Sequence, residues 1–396
     1  MTNPLRVLVA CGENWDSPAR LPRVLQNAGC EVDVFCSATW GLAQTRFIDR
    51  IVEAPQTLDE YVDALRAYLE VHRTSYQWII VADDPLLAAL VRRANEPWLA
   101  DWFPVDPASS AVSMISSKVG FVGAALASGL HVPPSHICST FEECERAAEA
   151  LGFPIVLKAS ESYSGLGVRA AHNSGELADA FREVRTPLVV QKFIQGRLGN
   201  TIALFDHGVP VCSMSSYKVR TWPGPFGPSS ARQFMSHPEA ESVVAHVGAL
   251  TGFHGLGAVD WVRDESTDKL VVLEFNARPV PTLHMGPLAG VDFSVAIRSM
   301  LEGNRVIQEP AVANENVLIL PMFPEDFYRA ATEGTDAAFE TLQRELEGYC
   351  DVPWDDEPLL NYHLRRRVLK RCFARLGLSD PTKQPGQLDS AQPGEL

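Results

Sequence analysis

The chain is 396 residues long, 46% apolar and 21% charged, with a formal charge of −15. That length allows two or three domains of about 100 to 200 residues with ample core, and the composition excludes a disordered, collagenous or coiled-coil protein. A surface this acidic repels a phosphodiester backbone, so no nucleic-acid partner is expected, and any bound anion must be held by a local basic site.

The N-terminus has only a short apolar run, Val7 to Cys11, before Gly12 and Glu13. This predicts neither a signal peptide nor an anchor, and no stretch approaches the ~18 apolar residues of a membrane span. A soluble, cytoplasmic protein is expected. Eight cysteines without a C-x-x-C pair read as free thiols of a reducing compartment.

In chain order, LRVLVAC (5–11), a helical pattern over 21–28 and EVDVFC (31–36) have the rhythm of a βαβ unit. WIIVA (78–82) predicts a further buried strand ending at Asp83-Asp84, where open parallel sheets often bind ligands. No G-x-G-x-x-G follows the first strand, so nothing local marks a dinucleotide site. A helix is predicted over 112–130. A second, over 140–151, carries an N-cap pattern and ends at Gly152. Strand IVLKA (155–159) runs into the loop Ser160 to Gly167. Strands follow at 188–193 and near 201–205, then a Pro/Gly-rich loop at 222–228. A β-hairpin with arms 257–263 and 269–276 comes next. Beyond Asn304 the pattern turns irregular and then helical, and the Pro/Gln/Gly-rich tail 379–396 is expected to be disordered.

The hairpin carries the first chemical signal. Asp260 lies on one arm and Glu274 and Asn276 on the other, the latter two on one strand face, and pairing can bring Asp260 opposite them. Three oxygen-bearing side chains in an otherwise apolar hairpin are costly unless a cation compensates. Magnesium fits, because it takes oxygen ligands and is completed by substrate phosphates. Pairing of Glu274 with Arg278 or Arg263 in a purely supporting role is the alternative. Lys158 lies inside an apolar strand, where an unpaired ammonium is expensive and an anion resolves the cost. The adjacent loop holds Ser160, Ser162, Ser164, Gly165 and Gly167, small enough for backbone N–H groups to close over a phosphate chain. Loop, strand lysine and carboxylate hairpin together point to ATP with bound magnesium.

In order and spacing these residues resemble the ATP-grasp superfamily, which includes D-alanine:D-alanine ligase, biotin carboxylase and the large subunit of carbamoyl-phosphate synthetase. Residues 116–168 look like its small nucleotide-binding lobe and 255–279 like its magnesium hairpin with an E-x-N-x-R ending. The resemblance implies an α/β fold: a Rossmann-like domain (1–111), a two-lobed α+β ATP-grasp domain (112–190 and 191–306) and a partly helical C-terminal extension (307–378). It further implies that Lys118 and Lys158 contact the α and β phosphates, that 160–167 is the phosphate lid, and that Gln191, Lys192, Phe193 and Ile194 form the adenine hinge. Asp260, Glu274 and Asn276 would hold magnesium, with manganese as an alternative, and Arg278 would sit beside the transferred phosphate. Lys118 as a solvated helix residue and Lys192 as a surface charge stay open.

Two departures matter. The hinge commonly begins with Glu rather than Gln191, and the acid after it that grips the ribose is missing from 196–200, leaving Asn200 or Gln195 as neutral substitutes. The segment 215–234 brings Lys218, Arg220 and Arg232 around the Pro/Gly loop, either as a mobile cover with catalytic cations or as a surface excursion. His284 could meet the substrate or accept a proton, or be a hydrogen-bonded structural histidine, as could His254. The basic helical pattern 361–376 could face a membrane, an acidic partner or the protein's own surface. The implied activity is an ATP-dependent ligase that joins a small-molecule carboxylate to an amine through an acyl phosphate, and a homodimer could form. The alternatives are a phosphotransferase and a silent nucleotide-binding protein. Trp15, Trp222 and Phe226 favour a small amino acid or hydrophobic acid over a polyanionic substrate.

Overall fold

The computed structural model describes residues 5–163, 165–308 and 319–378; the expected tail at 379–396 lies outside them. Strands β1 (Leu5–Ala10), β2 (Cys30–Cys36), β3 (Arg50–Glu53) and β4 (Trp78–Val81) form a parallel sheet in the order β3-β2-β1-β4. Helix α1 (Leu21–Asn27) links β1 to β2, α2 (Leu58–His72) precedes β4, and α3 (Asp84–Val91) follows it. Alternation along β1 separates the faces. Val7 and Val9 pack with Leu21, Val24 and Leu25 of α1, whereas Leu8 and Ala10 pack with Leu65, Leu69 and Leu86 of α2 and α3.

The predicted helix over 112–130 is two helices, α4 (Ala111–Ser116) and α5 (Lys118–Ser128). Ser117 breaks it, because its extended backbone lets its hydroxyl cap α5 by accepting the Gly120 N–H at 3.1 Å. The break leaves Lys118 as the first residue of α5, its own N–H donated to the Ser160 carbonyl at 2.8 Å.

A second, antiparallel sheet has the order β5-β8-β6-β7, from β5 (Ser135–Cys138), β6 (Ile155–Ala159), β7 (Val168–Ala171) and β8 (Leu188–Lys192). Its helices are α6 (Phe141–Leu151), opened by a Thr140–Glu143 capping box, and α7 (Ser174–Glu183). Ile155, Leu157 and Ala159 of β6 pack with the apolar faces of these helices, which leaves Val156 and Lys158 on the opposite face.

The third sheet has six strands in the order β13-β12-β9-β10-β11-β14. They are β9 (Gly196–Asp206), β10 (Val209–Thr221), β11 (Ser229–Met235), β12 (Gly255–Asp264), β13 (Leu270–Asn276) and β14 (Ile319–Pro321). Ala203, Phe205, Val259 and Trp261 pack on one face with α8 (Pro238–Thr251). Ile202, Leu204, Leu256 and Ala258 pack on the other with α9 (Phe293–Leu301) and the β1 face bearing Val7 and Val9. The segment 215–234 is thus mostly two long strands, and only 222–228 is loop. The serines that obscured β10 are buried and mutually bonded, Ser215 to Thr201 at 2.8 Å and Ser216 to Asn200 at 3.1 Å.

Helices α10 (Glu325–Glu333), α11 (Asp336–Gly348), α12 (Glu357–Leu364) and α13 (Arg367–Arg375) form a separate core around Phe323, Phe327 and Phe373. The predicted basic helix at 361–376 is broken at Arg365-Arg366, so that Leu364 of α12 and Leu369 and Phe373 of α13 enter one core. Its apolar face therefore packs inside this chain, and Arg366 reaches Asp16 at 3.1 Å. All eight cysteines are free, as expected.

Gly199 of β9 lies under the Trp261 ring, where an added Cβ would come within 2.3 Å of the indole. Gly199→Ala is expected to destabilise the protein by about 1–3 kcal/mol through overpacking; urea midpoints at unchanged slope check this.

Candidate active site

A cavity of about 780 Å³ is lined by residues of the second and third sheets and by residues 14–17, which follow β1 of the first, toward the upper end of ligand-site volumes. Lys158 and Val156 of β6, Gln191 of β8, and Asp260, Glu274 and Asn276 of the β12–β13 hairpin all line it. Pairing sets Asp260 opposite Glu274 and Ala258 opposite Asn276, so the three oxygen-bearing side chains share one face. A bulge after Asp260 makes Trp261 pair with Val272 and leaves Leu273 as the extra residue.

Two like charges face to face require cations. Lys218 Nζ lies 2.7 Å from Asp260, and Lys118 Nζ 3.6 Å from Glu274. Burial alone would raise the Glu274 carboxyl, but Lys118, Lys158, Lys218 and Arg278 override it and hold the group well below the usual carboxylate range. Burial pushes the Lys158 ammonium down to about 8, with Glu274 acting against that shift. Arg278 pairs with Asp84 of α3 at 2.8 Å, its guanidinium 5.1 Å from the centre of the Trp15 ring. The donor set, two carboxylates and an amide beside lysines already drawn to them, fits a magnesium ion that brings its own phosphate ligands.

Gln191, Lys192, Phe193 and Ile194, the expected hinge, all line the cavity. Lys192 and Phe193 donate their N–H groups to the Pro134 and Pro154 carbonyls at 2.9 and 3.2 Å. The Lys192 ammonium bonds the Gly152 carbonyl at 2.9 Å. Among the described residues the Ile194 N–H has no partner, and Leu198, Val262 and Leu273 supply apolar surface beside it. In the glycine loop, Ser160 bonds Ser117 through their hydroxyls at 2.7 Å. Ser164 lies outside the described residues. Gly165 has a φ of +75° and its Cβ position is 2.2 Å from the Phe226 carbonyl, so only glycine lets this loop meet the 222–228 loop. A Cβ on Gly167 would come 2.5 Å from that of Ser162.

Three expectations need correction. Arg220 points away from the cavity and is held by the Asp326 and Glu345 carboxylates at 2.9 and 2.5 Å, so it anchors the C-terminal helices rather than touching a substrate. His284 Nε2 lies 2.7 Å from buried Asp351 Oδ1 and is itself buried; burial lowers its pKa despite that partner, and it is the structural histidine. Asn200 borders the cavity, but its Oδ1 already accepts from Arg232 and Ser216, at 2.5 and 3.1 Å, leaving a poor acceptor for a ribose hydroxyl. His254 lies 3.5 Å from Asp206, outside this cavity. Sequence reading missed Tyr163, whose hydroxyl is 3.5 Å from Glu13, and Glu325. Glu325 reads locally as an ordinary acid in a helix's first turn.

Residues 118–281 match the family described as carbamoyl-phosphate synthase L chain, ATP binding domain. The chain is 26% identical over 174 residues to acetyl-CoA carboxylase of Schizosaccharomyces pombe, covering 39% of this chain and 7% of that protein. It is 27% identical over 222 residues to D-alanine–D-alanine ligase of Methylococcus capsulatus, covering 49% of this chain and 67% of that one. The biotin carboxylase domain of Hydrogenobacter thermophilus 2-oxoglutarate carboxylase, solved with MgADP, ADP and bicarbonate, shares the fold. Its TM-score is 0.59 at 19% identity, over 78% of this chain and 72% of that one. The ATP-grasp likeness holds over the matched segment and in the mixed α/β fold. No helix among the described residues is long and apolar enough to cross a membrane.

Arg220→Ala is expected to cost about 2 kcal/mol, because buried Asp326 keeps Arg329 at 2.6 Å but loses its second guanidinium. Thermal denaturation should show the loss while nucleotide affinity stays unchanged.

Proposed function

We propose that this protein is a magnesium- and ATP-dependent ligase that joins a carboxylate to an amine and releases ADP and phosphate. The observation that carries the reading is the convergence of Lys118, Lys158, Lys218 and Arg278 on Glu274, in the cavity that also holds the hinge. A locally cationic centre in a chain of charge −15 suits a polyphosphate.

In this reading the hinge receives adenine through the Ile194 N–H and the apolar side chains beside it. Lys118 and Lys158 bind the α and β phosphates, and the Gly165–Gly167 turn covers them. Asp260, Glu274 and Asn276 would hold magnesium, which when bound neutralises phosphate oxygens and orients them for in-line transfer. The substrate carboxylate attacks the γ-phosphorus as the bond to ADP breaks, giving an acyl phosphate. The amine nitrogen then attacks the acyl carbon, phosphate leaves and the amine loses a proton. Arg278, fixed by Asp84 and Trp15, and Lys218 stabilise charge on the transferred group. No side-chain nucleophile is needed.

The decisive assay mixes protein, ATP and magnesium with panels of acids and amines. ADP and phosphate formed only when both substrates are present supports the ligase. A stable phosphorylated product marks a phosphotransferase, and binding without turnover a silent nucleotide-binding protein. Lys158→Met and Glu274→Gln should each lower ADP release by about 100-fold or more in folded protein. Wild-type rates would overturn the assignment.

Lys158 also gives a pH signature. Its ammonium, pushed down to about 8 by burial, should regain its usual basicity beside phosphates. ATP binding at about pH 8.5 should therefore take up as much as about one proton, read by calorimetry in buffers of different ionisation heat. Affinity should fall as pH rises above about 8, because binding must then supply that proton. The uptake should vanish in Lys158→Met.

A further inference from the structure

The cavity that holds the ionic centre also contains a second pair of charged residues, Arg232 and Glu325, to which the ligase reading gives no role. Arg232 of β11 is only 6% exposed and lines the cavity. Its Nη1 donates to two neutral oxygens, Asn200 Oδ1 at 2.5 Å and Ser216 Oγ at 2.9 Å, its Nε has no partner, and no carboxylate is at ion-pair distance among the described residues. A buried guanidinium without a counter-ion is costly unless a ligand supplies one. Burial pushes it down to about 10, with Asp260 and Glu325 acting against the shift.

Glu325 is the complementary group. It opens α10 and lines the same cavity, and among the described residues its carboxylate has no ion pair and, beyond its own backbone amide, no hydrogen bond. Burial, with Asp16 and Asp351 nearby, pushes it up to about 7, the position of a carboxylate lacking a cation. The fold places the two as neighbours without bridging them. Arg232 pairs with Leu320 of β14, and Glu325 follows that strand after one turn, in which the Met322 N–H bonds the Ser230 carbonyl at 2.8 Å. Trp15, Val280, Pro281 and Met322 give the same cavity apolar lining.

We propose that this end of the cavity is a zwitterion site, in which Arg232 receives the carboxylate and Glu325 the ammonium of a free amino acid with an apolar side chain. The ligand's place as one of the two substrates rests on the ligase reading; its binding does not.

Full-length protein is titrated calorimetrically with each proteinogenic L-amino acid and with D-alanine, with and without magnesium and a non-hydrolysable ATP analogue. At least one apolar amino acid should bind. Its des-amino and decarboxylated analogues should bind about tenfold or more weakly, as expected for loss of a charged hydrogen-bonding group. Glu325→Gln should weaken the amino acid by a similar factor while leaving affinity for the ATP analogue unchanged. The inference is overturned if no amino acid binds to protein that takes the ATP analogue, or if the analogues bind as well as the parent. The analogue comparison uses wild-type protein, so it decides even where Glu325→Gln does not fold. Protein that takes the amino acid but not the nucleotide overturns the ligase reading and leaves this site standing.

Discussion

Two carboxylates held face to face on one antiparallel strand pair, Asp260 and Glu274, are the constraint around which the site is organised. Opposed like charges destabilise a hairpin, and here the compensation comes from outside the hairpin. Lys218 arrives from β10 and Lys158 from the second sheet. Lys118 comes from the break between α4 and α5, and Arg278 from the chain just past β13. Each cation requires a particular packing of the element that carries it, so the electrostatics of one strand pair and the arrangement of the sheets are mutually dependent. The same arrangement brings several cations to a cavity wall in an acidic protein.

How much of this was legible in the sequence follows from how local each signal is. The hairpin, the lysine of IVLKA and the glycine loop are short patterns whose periodicity or composition already carries the chemical meaning, and the structure brings them to one cavity. Arg220, His284 and Asn200 misled because their partners are distant. Asp326 and Glu345 lie more than a hundred residues beyond Arg220, Asp351 sits 67 residues beyond His284, and Arg232 takes the Asn200 oxygen from across the sheet. A polar residue beside a motif looks available until its tertiary partner is known. The broken helices have the same cause. Ser117 and Arg366 interrupt runs whose apolar spacing is helical throughout, because capping and core geometry decide the break.

The C-terminal helices show the complementary effect. Their core is built from their own aromatic residues, yet Glu325 at the start of α10 reaches the central cavity and Asp326 beside it holds Arg220 of β10. One helix start thus supplies both a cavity wall and the tie that docks it, so a segment with its own apolar cluster also shapes the ligand space of its neighbour.

The turn at Asp83-Asp84 carries a consequence for modularity. Asp83 caps α3 by accepting the Leu86 N–H at 2.8 Å and also accepts the Gly12 N–H, at the head of the segment that brings Trp15 to the cavity. Asp84, the next residue, is the counter-ion of Arg278. One dipeptide therefore sets the position of a wall and of the guanidinium that packs against it, 5.1 Å from the Trp15 ring centre. The parallel sheet is in this sense a jig rather than an appendage. A relative that exchanged it for another α/β unit would have to reinvent this dipeptide to keep both groups in place.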